Sequence, residues 1–178
     1  MYALIQPFVN LLLNRGSAQD IPASPSVFKF VAISCFITDV ISSMSTLGFN
    51  TALVLSAGQI GLLSVFVYFL LNLKKKPERW LQTISAILGA LALINVASIP
   101  FLQNLNFSDV TQLTLSPSLL VVGALQLWFF IIMARILRDA VEVTMGRALL
   151  YTFLIINAVP IVLSAVVGIL GISPAVIK

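Results

Sequence analysis

The chain has 178 residues, of which 60% are hydrophobic and 9% charged, with a formal net charge of +4. A soluble domain carries roughly 25% charged residues, so this composition cannot clothe a water-facing surface; long unbroken apolar runs instead mark segments solvated by lipid. The absence of His and the single cysteine, Cys35, exclude an intrachain disulfide, a His-built metal site and the commonest general base.

In chain order, the apolar stretch from Leu4 to Arg15 is too short to span and fits a short interfacial helix, with Pro7 tolerated in its first turn. A basic leading region is missing, so it does not read as a secretory signal. Residues 16–26 carry Pro22 and Pro25 and form a linker, so 1–26 is expected as a cytoplasmic segment and 27–178 as a transmembrane domain. Five spans are predicted, at about 27–49, 51–73, 80–102, 117–137 and 147–172. A tight turn at Gly48 joins the first two. A basic loop, Lys74-Lys75-Lys76-Pro77-Glu78-Arg79, precedes the third, and Trp80 suits an interfacial anchor. The next loop, 103–116, carries Asp109 but no Lys or Arg. Pro117 is well placed at the start of the fourth span. The fold class is therefore an all-α, polytopic membrane bundle of five transmembrane helices with a short N-terminal interfacial helix.

Orientation follows from the bases. Arg15, Lys29, Lys74, Lys75, Lys76, Arg79, Arg135, Arg138 and Arg147 fall on one side of the predicted membrane and Lys178 on the other. By the positive-inside rule the N-terminus is cytoplasmic and the C-terminus outside. The bases read as topology signals and headgroup contacts rather than as a nucleic-acid surface. Lys74, Lys75, Lys76, Arg79, Arg135 and Arg138 are the candidate contacts to lipid headgroups or a partner. If the fourth helix continues past the membrane, Arg135 with Asp139 and Arg138 with Glu142 form i,i+4 pairs.

Within the spans, Asp39 is the most unusual residue. A carboxylate near mid-depth costs a few kcal/mol (roughly 3 on insertion scales), so it is expected to face inward and find partners. Its helix face is polar throughout, with Cys35, Ser42, Ser43 and Thr46 at helical spacing. Each other span brings one amide to comparable depth: Gln59, Asn95, Gln126 and Asn157. Two readings stand, a polar cavity or hydrogen bonding between helices, which is worth about 0.6 kcal/mol on average. In the third span Ser85, Ala86, Gly89, Ala90 and Ala97 form a small-residue face for close helix approach. Pro160 is expected to kink the fifth span. No paired carboxylates, phosphate loop or nucleophile elbow is present, so neither catalysis nor a metal or other cofactor is expected.

This layout resembles the Yip1-domain superfamily of small five-span membrane proteins. The resemblance is carried by the N-terminal segment, the closely spaced spans and the basic turn from Lys74 to Trp80 before a small-residue third span. The stretch from Trp128 to Ala140, running out of the fourth span, adds to it. The signature motif and long cytosolic segment of the eukaryotic members are absent, so their partners are not carried over. The resemblance implies a compact bacterial-type member, and the reading adopted is a non-enzymatic protein of the bacterial inner membrane that acts as a scaffold or accessory subunit through helix-helix and lipid contacts. The alternative is a small oligomeric transporter or channel that uses Asp39 as a protonatable or substrate-contacting group. Membrane lipids are the expected partners, together with either a second copy of the chain or another membrane protein, and not nucleic acid.

Overall fold

A computed structural model of the chain describes residues 2–103, 105 and 116–169, without the side chains of 2–4, 45 and 46. Among the described residues there are six α-helices and no strand: α1 (Tyr2–Leu12), α2 (Pro25–Leu47), α3 (Phe49–Leu73), α4 (Trp80–Leu102), α5 (Pro117–Val141) and α6 (Met145–Ile169). The last five are each long and apolar enough to cross a membrane. Most of the 103–116 loop, with Asp109, the end of the fifth predicted span, and Lys178 beyond it lie outside the described residues.

Local chemistry sets the helix ends. Pro25 and Pro117 occupy the first turns of α2 and α5, where a missing N–H breaks no helical bond and the fixed φ is already helical. The first span thus begins slightly earlier than the apolar run alone implies. Gly48 separates α2 from α3 with φ +77°. Its N–H closes on the Met44 carbonyl, and its own carbonyl accepts from Ala52. One residue therefore ends one helix and starts the next, in a conformation that glycine adopts without penalty. The fourth span, α5, runs beyond residue 137 to Val141 because Ala140 and Val141 are themselves buried. It stops where Glu142 turns left-handed, at φ 56°.

The helices close into a ring. α2 packs on α3 and α4, α4 on α5, α5 on α6, and α6 returns to α3. α4 is the central member: 67% of its apolar stretch is buried, against 17 to 28% for the other four. Its small residues explain that position. Ser85, Ala86 and Ala90 are fully buried, which lets α2 and α5 approach closely, whereas Ala97 is exposed. The face expected to favour close helix approach is thus occupied within the chain. Ile84, Ile87 and Leu88 of α4 join Val67 and Leu71 of α3 and Met133 and Leu137 of α5 in one core.

α1 lies across α4. Phe8 is buried against Gly89, so closely that a Cβ at residue 89 would stand 2.3 Å from the ring. The end of α1 is held by the Trp128 indole, which donates to the Leu12 carbonyl at 3.1 Å. The following segment is tied down by Gln82, whose amide donates to the carbonyls of Gln19 (3.0 Å) and Ile21 (2.8 Å). Ser17 and Asp20 cap the short turn between them reciprocally.

Candidate functional site

Three polar regions emerge from this arrangement. The first lies between α2, α3 and α4. Asn95 donates its amide to the Asp39 carboxyl at 3.3 Å. Asp39 is half-buried, Asn95 is buried, and the Cys35 thiol one turn away on α2 is fully buried. Ser56 of α3 stands beside the same carboxyl. Serine and threonine hydroxyls inside helices usually satisfy themselves on their own backbone, and Ser42, Ser64, Thr83, Ser85, Ser98 and Thr152 all do so here. The Ser56 hydroxyl, 1% exposed, instead makes no hydrogen bond of good geometry. Ser43 is half-buried on the same helix, and the side chain of Thr46 lies outside the described residues.

The second region is a cavity of about 580 Å³ in the wedge between α5 and α6, floored by α3 and α4. Gln59 and Gln126 both line it, and Asp39 and Asn95 do not. Asn157 turns away to the outer surface, where its amide donates to the Phe153 carbonyl at 2.7 Å. The five mid-span polar groups therefore do not meet in one place. Asp39 and Asn95 pair, Gln59 and Gln126 share a cavity, and Asn157 satisfies itself. Depth along each helix was readable from the sequence, but rotation about the axis was not.

The third region gathers bases at one end of the bundle. Glu142 pairs with Lys76 and with Arg79, the latter at 2.8 Å. Arg79 also donates to the Asp139 and Ala140 carbonyls, both at 3.3 Å, satisfying the free carbonyls at the end of α5. These cations hold the exposed Glu142 carboxyl below the usual glutamate range. The expected pairs along α5 are corrected here: Arg138 bonds the adjacent Asp139 at 2.8 Å, and Glu142 faces the α3–α4 loop. The cause is the helix stop, since a left-handed Glu142 no longer projects along the α5 face. Lys74 sits over the Tyr151 ring at 5.4 Å, a cation–π contact. Trp80 is half-buried among α2 and α3, donating to the Ser64 carbonyl and packing against Phe28 and Tyr68. Lys75, Arg135 and Arg138 are exposed or half-buried nearby along the chain.

No protein-family model, curated protein or solved structure matches the chain.

Proposed function

We propose that this is an integral membrane protein, Yip1-like in layout, that acts without catalysis as a scaffold or accessory subunit through helix-helix and lipid contacts. Its five apolar helices are compatible with a multi-pass membrane protein, and the large apolar side chains on its outer faces, such as Ile33, Val65, Leu120 and Phe153, suit a lipid environment. On this reading the N-terminus is cytoplasmic and the C-terminus outside, which the bases from Lys74 to Arg79 and from Arg135 to Arg147 support, and the compact loops suit a bacterial inner membrane.

One observation favours the scaffold over a transporter driven by Asp39. The carboxyl is engaged by Asn95 between packed helices and does not line the large cavity. On this reading Asp39 joins α2 to α4 and does not contact a moving solute. The test is purification in native-lipid nanodiscs with mass spectrometry of what co-purifies, beside flux assays of Asp39→Asn in vesicles. A stoichiometric protein partner and a variant that behaves as wild type support the scaffold. Proton or solute flux that the wild type carries and the variant loses, with assembly intact, would sink it.

A further inference from the structure

The wedge between α5 and α6 combines features that a lipid-packed surface does not need. Leu63, Leu91, Phe129 and Met133 form a buried apolar floor, whereas Gln126 of α5 and Phe153 and Pro160 of α6 are exposed at the rim. The cavity therefore opens sideways through the outer surface of the bundle. Leu163 closes the far side by resting over Gly58 of α3, where a Cβ would meet it at 2.5 Å.

Polar groups face this apolar space without partners. Neither Gln59 nor Gln126 makes a side-chain hydrogen bond among the described residues. Pro160 has no N–H to offer the Ile156 carbonyl one turn earlier, and Ile156 also lines the cavity. At 1.5 Å per residue, Gln59 lies roughly 15 Å and Gln126 roughly 14 Å from the helix ends opposite the basic loops, near the middle of a ~30 Å hydrocarbon core. Acyl chains cannot satisfy an amide at that depth. No ionisable residue lines the cavity, so it offers nothing to neutralise a charged ligand.

We propose that the cavity between α5 and α6 is a binding site for a neutral amphiphile drawn laterally from the membrane, with its hydrogen-bonding head between Gln59 and Gln126 and its apolar body against the floor. A volume of about 580 Å³ falls within the range of small-molecule sites, and an apolar wall with a few convergent polar groups is their usual construction. The amides supply both donors and acceptors, so an alcohol or carbonyl head is accommodated. The site rests on the membrane reading above but not on the scaffold reading.

Photolabelling tests it. The full chain is placed in phosphatidylethanolamine–phosphatidylglycerol nanodiscs with a long-chain alkyl alcohol carrying a diazirine, and adducts are mapped by mass spectrometry. Adducts are expected to concentrate around Gln126, Phe153 and Pro160. Gln126→Leu should lower labelling about fivefold, the loss expected for one hydrogen bond, while the matching diazirine alkane should be insensitive to it. Gly123→Phe, at a lining position whose Cβ would meet nothing within 4 Å, should block the cavity without disturbing the fold. Labelling spread evenly over all outward faces and unchanged by both variants would overturn the site. So would covalent dimers trapped by a photoreactive residue introduced at the exposed lining position Leu127, because a second copy would then fill the cavity. Release of the chain from membranes by alkaline carbonate would overturn the membrane reading and the site with it, whereas a carbonate-resistant chain with diffuse labelling overturns the site alone.

Discussion

At the scale of single residues, the paired carboxyls behave according to their surroundings. Asp39→Asn keeps the shape and accepts the same bond from Asn95, so stability in detergent should change by less than about 1 kcal/mol. Asp39→Ala removes the acceptor and leaves a buried amide unpaired, which costs about 1–3 kcal/mol. Chemical denaturation of the two variants separates these outcomes, and equal losses would show that the Asp39–Asn95 bond does not hold α2 to α4. Glu142 is governed by its cations. Its folded pKa lies below its unfolded one because Lys76 and Arg79 bond and attract the carboxylate. Its contribution is thus complete above the unfolded value and disappears as pH falls through the lower, folded value. Glu142→Gln should flatten that acid limb of the thermal-stability profile. The effect should shrink in high salt, as for any exposed ion pair. That Asp39 would need partners was legible in the sequence, because a mid-span carboxylate is costly. That Glu142 would face Lys76 and Arg79 was not, because it depends on one left-handed residue at the end of α5.

At the scale of elements, α4 carries the bundle and α1 is fastened to it. The limits of α4 coincide with the predicted 80–102 because Trp80 follows a charged turn and the apolar run is uninterrupted. The small-residue face was equally visible. What covers it was not, since the docking of Phe8 on Gly89 joins two segments 81 positions apart, and neither has a periodicity that points to the other. This contact makes a sharp prediction. Gly89→Ala inserts a methyl where the Phe8 ring lies, and a flat ring can only swing out. Overpacking of this kind costs about 1–3 kcal/mol. Hydrogen exchange should speed up through α1 while the amides of α3 and α6 remain protected. Adding Phe8→Ala should recover part of the loss, so the two substitutions together cost less than the sum of each alone. Strict additivity would mean that the ring and the glycine do not meet. Trp128→Phe, which deletes the indole N–H bonded to the Leu12 carbonyl along with part of an exposed ring, should loosen α1 by at least about 0.5–1.5 kcal/mol.

At the scale of the molecule, polarity is sorted along the long axis. Lys76 and Arg79 meet Glu142, Lys74 meets Tyr151, and Arg138 meets Asp139 at the end where α3, α4, α5 and α6 turn. The opposite end holds the Gly48 turn and, among the described residues, no Lys or Arg. This asymmetry was already plain in the sequence, because it depends on order along the chain and not on rotation about any helix. It predicts a single orientation that chemistry can read. Cys35 is fully buried, so the native thiol should stay silent towards a membrane-impermeant maleimide and the chain is its own background. Asn50→Cys lies beside the Gly48 turn and Glu78→Cys lies in the basic loop, both at exposed positions. In intact cells Asn50→Cys should be modified and Glu78→Cys should not, with Glu78→Cys becoming reactive once the membrane is permeabilised. Removing the charges of Lys74, Lys75 and Lys76 together should produce a mixed population, in which some chains label at Glu78→Cys from outside, because these bases weigh most heavily in short loops. Labelling of Glu78→Cys in intact cells with all bases present would reverse the orientation and put the Glu142 cluster outside.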